Sequence, residues 1–300
     1  MTATAPKNIP EYLDQLRAAL AGSDPALIQD ALYDAEEYLR SELAENPGVD
    51  EATLLAGIAT SYGAPEEVAD IYRVQETTVT QALQPPPVPV RRTALGKFFG
   101  VIADPRAYTA LLYMLLSLAT GIFYFTWAVT GLSLSAGLLL LALIGVPLGI
   151  LFFASVRGLA LIEGRLIEVM LGERMPRRPV YSDRDKPLLT RIKEMFTDPR
   201  TWSTVLYLLL MLPLGTMYFT LAVTLIGFTF AFLASPLGWM LGLPISARLD
   251  GWVWYAPASA MPIFFALGVL LLFATLHLAR GIGYLHAQLA KNLLVKPARV

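Results

Sequence analysis

Cysteine is absent from the chain, and this absence excludes disulfide bonds, thiol catalysis and zinc–thiolate centres. Charged residues are scarce as well, at 16% against about a quarter in a typical soluble domain, whereas hydrophobic residues reach 55%. The sequence contains no glycine-rich phosphate loop, no Ser/His/Asp grouping and no kinase signature. We therefore expect no enzymatic activity, no cofactor and no metal site. Residues 1–8 are polar, which predicts that no signal peptide is cleaved.

Asp, Glu, Lys, Arg and His are missing from two long stretches, between Arg106 and Arg157 and between Arg200 and Arg248. Charges at membrane depth usually mark ion pathways, and lipid chemistry needs polar groups there. The pattern therefore argues against a coupled transporter and against an enzyme that acts on lipid. Four apolar segments are each long enough to cross a hydrocarbon core of about 30 Å. They lie near 107–131, 135–157, 202–230 and 260–280.

The charges that are present divide the chain into an acidic part and a basic part. Residues 1–83 carry 15 acidic and 4 basic side chains, and the remaining residues carry 9 acidic and 19 basic ones. An acidic surface repels phosphate, so direct binding of nucleic acid is not expected. The basic side chains lie before the first apolar segment, between the second and third, and after the fourth. The positive-inside rule therefore predicts a multi-pass protein of the bacterial plasma (inner) membrane with cytoplasmic N- and C-termini.

Helical periodicity, N-cap residues and glycine stops predict a small helical domain in residues 1–83, which we call the head. The proline-rich residues 84–94 predict a stiff extended linker after the head. The predicted fold class is all-α, with a small cytoplasmic helical domain joined to a polytopic four-helix membrane domain.

The membrane part contains an internal repeat. The stretch Asp104-Pro105-Arg106 through Thr130 returns as Asp198-Pro199-Arg200 through Thr224, and just over half of the aligned positions are identical. A second match aligns residues 157–166 with 280–289. We predict two parallel repeats, membrane repeat 1 in 95–180 and membrane repeat 2 in 181–300. In each repeat the aspartate, Asp104 or Asp198, is expected to cap a helix that begins with the following Pro-Arg pair.

The central cytoplasmic loop is a candidate docking site for the acidic head. Its candidate contact residues are Arg174, Arg177, Arg178 and Lys193. We expect the head to dock there in one state and to be released in another, and high salt should weaken such docking. Just before this loop, Glu163, Arg165 and Glu168 are expected to form the polar face of a juxtamembrane helix.

The segment 231–259 extends only the second repeat and is a candidate ligand site or interface. Its aromatic side chains are Trp239, Trp252, Trp254 and Tyr255. Two interpretations stay open, an aromatic belt at the outer membrane interface and a shallow pocket for a lipid or another amphiphile. His277, near the end of the fourth apolar segment, is either a pH sensor or a helix-end histidine bonded to a neighbouring carbonyl.

Two stretches of the chain resemble known families. Tyr12-Leu13-Asp14-Gln15-Leu16, Asp34-Ala35-Glu36-Glu37-Tyr38 and residues 62–69 resemble the HAAS domain, a small α-helical signalling domain often associated with PadR-type transcriptional repressors. Asp104-Pro105-Arg106, Tyr113 and the stretches 121–130 and 157–172 resemble the bacterial "putative sensor" domain, which often precedes a histidine kinase in actinobacteria. Nothing kinase-like follows Val300, so this resemblance implies that any signal leaves through the head or through a separate protein.

We predict a sensory or regulatory membrane protein that couples the state of membrane lipids, or an amphiphile, to a cytoplasmic partner such as a transcriptional repressor. The partner is expected to bind residues 1–83. The alternative, from a different class, is a non-catalytic scaffold or accessory subunit of a membrane transporter complex. A homo-oligomer is compatible with either interpretation.

Overall fold

The computed structural model describes residues 5–83, 93–138, 142–179, 190, 193, 196–243 and 246–295. The predicted linker 84–94 and the central loop beyond residue 179 therefore lie almost entirely outside the described residues. The prediction of an all-α fold is confirmed, because helices account for nearly all of the regular structure. The helices are α1 Ile9–Ala19, α2 Pro25–Glu45, α3 Glu51–Ser61, α4 Pro65–Leu83, α5 Ala94–Gly100, α6 Pro105–Gly137, α7 Ala142–Leu171, α8 Pro199–Leu233, α9 Ser235–Met240 and α10 Met261–Leu294.

The chain forms two compact units. The first unit comprises residues 1–86, 130–207 and 288–300, and the second comprises residues 87–129 and 208–287. The first unit thus holds the head, α7 and the start of α8. The second unit holds most of α6, the rest of α8 and most of α10.

In the first unit, α1 to α4 pack around one apolar core. Side-chain caps start two of these helices, because Asn8 accepts the Glu11 N–H at 2.9 Å and Asp24 accepts the Ala26 N–H at 2.8 Å. The Tyr12 hydroxyl donates to the Gly63 carbonyl at 2.9 Å and so ties α1 to the turn after α3. The fully buried core side chains are Tyr12, Leu16, Leu20, Ala31, Ala35, Leu39 and Ala69.

Within the described residues, four helices are long and apolar enough to cross a membrane, which makes the chain a multi-pass membrane protein. They span Pro105–Gly137, Ile144–Leu171, Pro199–Leu233 and Ala258–Leu294. Each ends beyond the segment predicted from hydropathy, because the helix continues past the apolar stretch until a residue stops it. The predicted start of the second segment at residue 135 is wrong, because residues 135–137 form the end of α6. The clearest stop is Gly172, whose φ of 76° ends α7 and whose N–H returns to the Ile167 carbonyl at 3.1 Å.

In the second unit, α6 and α8 cross in very close contact. A Cβ atom added to Gly121 would lie 2.4 Å from the Met211 carbonyl oxygen, and one added to Gly215 would lie 2.1 Å from the Ser117 oxygen. The repeat aligns Gly121 with Gly215 and Ser117 with Met211. Aligned residues therefore make the same backbone contact in both directions, which is the close approach that small residues permit between membrane helices.

A β-hairpin in the second unit was not predicted from the sequence. Strand β1, Ser246–Leu249, pairs antiparallel with β2, Trp252–Tyr255. Asp250 and Gly251 form the turn with φ values of 47° and 85°, the left-handed conformation that a two-residue hairpin turn of type I′ needs. The Asp250-Gly251 pair is a sequence signal for such a turn. The prolines and tryptophans in the same segment favoured irregular structure over a hairpin.

The helix crossing gives a test of packing. Gly121→Ala and Gly215→Ala should each destabilise the protein by about 1–3 kcal/mol, because the new methyl group meets backbone that cannot turn away. Thermal unfolding in detergent would measure the effect. Gly227→Ala is the matched control in α8, since a Cβ atom there meets nothing within 4 Å. Equal melting temperatures for Gly215→Ala and Gly227→Ala would contradict the crossing.

Candidate functional site

A contact between the head and the segment after α7 is the most polar buried feature of the first unit. We call residues 172–179 the basic segment. The Asp30 side chain in α2 is 7% exposed and accepts three hydrogen bonds from this segment. Its Oδ1 atom accepts the backbone N–H groups of Arg177 at 2.7 Å and Arg178 at 2.8 Å. Its Oδ2 atom accepts from Arg174 Nη2 at 2.8 Å.

Further ion pairs surround the Asp30 carboxylate. Arg174 also binds Glu76 of α4, with 2.6 Å between Nη1 and Oε2. Arg178 Nε lies 2.9 Å from Asp34 Oδ1. The basic segment is thus held by carboxylates of both α2 and α4.

Neutral groups also contact Arg178. Its guanidinium stands over the Tyr33 ring at 5.8 Å from the ring centroid. The Gln29 amide donates to its carbonyl at 2.7 Å. Both the side chain and the backbone of Arg178 are therefore fixed against α2.

The local sequence explains why two successive N–H groups reach one carboxylate oxygen. Gly172 ends α7 in a left-handed conformation and turns the chain back. Pro176 and Pro179 each fix φ and have no N–H of their own. The N–H groups of Arg177 and Arg178 lie between them and are both available to the head.

A second contact joins the head to the last turn of α10. Lys291 Nζ lies 2.5 Å from Asp24 Oδ2, the residue that caps α2. The same ammonium group is 3.8 Å from Glu173 Oε2. The head therefore contacts the C-terminal ends of two long helices, α7 and α10, within one unit.

The electrostatic balance at Asp30 is narrow. Burial raises the pKa of the Asp30 carboxyl above its ordinary value, and the N–H groups of Arg178 and Arg177 and the charge of Arg174 offset only part of that rise. The Arg177 guanidinium binds Glu168 Oε1 at 2.8 Å, and this hydrogen bond is the largest cause that raises the pKa of Arg177. Arg177 therefore reaches the head through its backbone and α7 through its side chain.

Three of the four predicted docking residues, Arg174, Arg177 and Arg178, thus lie at the head. Lys193 is exposed, and among the described residues it takes no part in these ion pairs. Sequence reasoning predicted Asp24 as a helix cap, but it did not identify Asp24, Asp30 or Lys291 as residues that join the head to the long helices. The acidic and basic character of the two surfaces was readable, but nothing in the sequence indicated which carboxylate would be buried.

The predicted repeat caps have the expected local geometry. Asp104 Oδ1 accepts the Arg106 N–H and Asp198 Oδ1 accepts the Arg200 N–H, both at 3.0 Å. In the second unit Asp104 also lies 2.9 Å from Arg280, and in the first unit Asp198 lies 3.9 Å from Arg157. Because the repeat aligns Arg157 with Arg280, each cap aspartate lies beside the arginine of the other copy.

Buried tyrosines follow the same pattern. In the first unit the Tyr207 hydroxyl donates to Glu163 Oε1 at 2.9 Å, and both side chains are fully buried. In the second unit the Tyr113 hydroxyl lies 2.6 Å from His286 Nε2. The repeat aligns the two tyrosines and also aligns Glu163 with His286.

The expected polar face on α7 is only partly formed. Arg165 pairs with Glu168 at 2.7 Å on the exposed side of the helix. Glu163 instead faces the interior, because the Tyr207 hydroxyl provides a hydrogen-bond donor there. The prediction that all three residues share one solvated face is therefore wrong for Glu163.

The aromatic residues of the segment 231–259 lie on the surface of the second unit. Trp239 in α9 and Trp252 and Tyr255 in β2 are all exposed. The backbone of Trp254 pairs with Ala247, and its side chain lies outside the described residues. His277 Nε2 lies 3.0 Å from the Phe98 carbonyl in the same unit.

No group of three or more histidine, aspartate or glutamate side chains in the described part of the chain is placed to hold a metal ion.

The membrane part of the chain matches a known protein family. The family described as "Putative sensor" matches residues 113–294, which run from the first long helix to the end of the fourth. No curated protein and no solved structure matches the chain. The head lies outside the matched region.

The Asp30 contact gives a test of head docking. Asp30→Asn should weaken docking by about 3 kcal/mol, because a neutral amide replaces the charged acceptor of two buried N–H groups and removes one of the two carboxylates that bind Arg174. Spin labels at Ser41→Cys and Val169→Cys would report the head-to-α7 distance, and they attach only there because the chain has no cysteine. We expect one narrow distance in the parent protein and a broad distribution in the variant.

Lys193→Gln is the control for this experiment, since it removes one positive charge from a predicted docking residue that, among the described residues, takes no part in the ion pairs of the head. It should keep the narrow distance. A broad distribution in the parent protein, or equal broadening in both variants, would contradict the docked arrangement.

Proposed function

The chain belongs to the "Putative sensor" family, and from that premise we propose that it is a sensory or regulatory protein of the bacterial inner membrane. We place the head and both termini in the cytoplasm. The support for this orientation is the basic residues that flank the long helices on one side, where the positive-inside rule expects them. We further propose that the head is a HAAS-like signalling domain. Its support is the short motifs in residues 9–69 and the packing of α1 to α4 around one core.

The observation that carries the proposal is the anchoring of the head by Asp30 and Lys291. These contacts attach it to the ends of α7 and α10. Both are helices long and apolar enough to cross the membrane. A change in how the cytoplasmic ends of α7 and α10 are arranged would therefore alter the geometry of both contacts at once. Such a change needs a stimulus that binds or stabilises the two arrangements unequally.

Release of the head provides the output in this proposal. When docked, α2 and α4 direct Asp30, Asp34 and Glu76 toward the arginines of the basic segment. Once released, the same carboxylates form an acidic surface that fits a cytoplasmic protein with a basic patch, such as a transcriptional repressor. The basic segment and the partner then compete for one face of the head, which makes binding of the partner depend on the membrane part.

Purification from the native host tests this proposal. The parent chain, Arg174→Gln and Lys193→Gln would each be solubilised in detergent and captured, and the co-purifying proteins identified by mass spectrometry. A regulatory protein should be recovered several-fold more with Arg174→Gln than with the other two, because this variant weakens docking and leaves the carboxylates of the binding face unchanged. Deleting residues 1–83 should abolish that recovery.

The alternative function has a distinct outcome in the same experiment. A transporter that co-purifies in fixed ratio, with or without the head, would support an accessory subunit and contradict regulation through the head. Salt gives an independent check, since the Arg178 side chain is 52% exposed and its pairing should be screened. A head-to-α7 distance indifferent both to salt and to charge reversal at Arg177 and Arg178 would also refute docking as the switch.

A further inference from the structure

A cleft in the first unit lies between α7, the basic segment and the start of α8. Its polar lining consists of Arg157, Asp198, Arg200, Thr201 and Thr204. The cavity volume is about 40 Å³, whereas one bound water needs roughly 10–15 Å³ on the same measure. The cleft therefore has room for a small polar group the size of a phosphate.

Two polar atoms of this cleft are buried without a hydrogen-bond partner in the described part of the chain. They are Thr201 Oγ1 and Arg200 Nη1. Thr201 is 2% exposed, and a buried hydroxyl without a partner is costly, so native proteins rarely keep one. The Arg200 guanidinium is fixed by a hydrogen bond from Nε to the Leu294 carbonyl at 3.0 Å. Both groups can donate to an acceptor in the cleft.

The charges of the cleft favour an anion. Arg157 and Arg200 supply two positive charges against the single carboxylate of Asp198. That carboxylate is already engaged, because Oδ1 accepts the Arg200 N–H at 3.0 Å and Oδ2 lies 3.9 Å from the Arg157 guanidinium. The Thr204 hydroxyl donates to the Arg200 carbonyl and is not available. The ligand must therefore be negatively charged and accept at least two hydrogen bonds.

The first repeat lacks this arrangement. Ala107 occupies the position that aligns with Thr201, so no hydroxyl is present there. The arginine that aligns with Arg157 is Arg280, and it lies 2.9 Å from Asp104, close enough for a direct ion pair. The cleft is thus a feature of one copy of the motif, and the other copy serves as an internal control.

We propose that this cleft binds a phosphate group, either that of an anionic lipid headgroup or free phosphate. The apolar lining by Leu161, Met175 and Leu294 suits the attachment of a lipid, and phosphate chemistry is common to both sources. Met175, Pro176 and Pro179 line the cleft and belong to the basic segment that holds the head. Coupling of the bound phosphate to head docking rests on the proposed function, whereas the binding itself does not.

Native mass spectrometry of the full chain in detergent tests the site. The protein would be titrated with phosphatidylglycerol and, separately, with phosphatidylcholine. Inorganic phosphate would be added in a second arm that follows the melting temperature. Thr201→Val, which keeps the side-chain shape, should weaken binding about fivefold, and Arg200→Gln about tenfold or more. Arg106→Gln makes the same charge change in the other copy and should leave binding within about twofold.

The outcomes separate the two sources of phosphate. Retention of phosphatidylglycerol, lost in Thr201→Val, supports a lipid site, and a phosphate-dependent rise in melting temperature lost in the same variant supports a free anion. Equal losses in Arg200→Gln and Arg106→Gln would reduce the effect to surface charge and overturn the site. So would equal binding of both lipids together with no response to phosphate.

The spin-labelled pair in the head and α7 tests the coupling separately. Phosphatidylglycerol should change the distance distribution of the parent protein and leave that of Thr201→Val unchanged. If Thr201→Val weakens binding of phosphatidylglycerol but the lipid does not change the spin-label distance in the parent protein, the binding site is supported and its link to head docking is refuted.

Discussion

The buried Asp30 carboxylate is the interaction on which the arrangement of the first unit depends. A buried charge is tolerated only when hydrogen bonds and opposite charge replace its lost hydration. Here the basic segment supplies two backbone N–H groups and one guanidinium, all within 2.8 Å. Backbone donors of a short proline-flanked segment cannot follow the carboxylate if the head moves. The contact is therefore formed almost completely or hardly at all, which distinguishes it from the more exposed pair between the Arg178 and Asp34 side chains.

The sequence predicted the parts of this structure that depend on local chemistry. Capping by Asp24, Asp104 and Asp198 follows from their positions before a Pro, and the long helices follow from uninterrupted apolar stretches. Charge complementarity also pointed to the basic loop as a contact for the head. The identity of the anchor was not predictable, because two of the three donors to Asp30 are backbone groups that every residue has. The role of Lys291 was not predictable either, because only the folded chain brings α10 to the N-terminus of α2.

The two copies of the membrane motif keep the same residues at several aligned positions, but the ionisable groups around those residues differ. A buried tyrosine recurs at aligned positions, but it meets Glu163 in the first unit and His286 in the second. The cap aspartate recurs as well, yet the neighbouring arginine is 2.9 Å away in the second unit and 3.9 Å away in the first. A duplication could have kept the same distance in both pairs. The longer distance at Asp198 instead leaves Arg157 able to face another anion, in the unit that also contains the head.

A regulatory contact must be strong enough to hold and weak enough to be reversed. The net strength of a buried ion pair is a small difference between desolvation and pairing. Burial raises the pKa of the Asp30 carboxyl, and its hydrogen bonds and the charge of Arg174 offset only part of that rise, so desolvation opposes the pairing. In the proposed mechanism, a displacement of the basic segment that breaks these hydrogen bonds releases the head. Met175 and Pro176 line the cleft beside Arg200, and their neighbours Arg174 and Arg177 bind Asp30. A displacement that starts in the cleft can therefore reach the Asp30 contact through an adjacent residue.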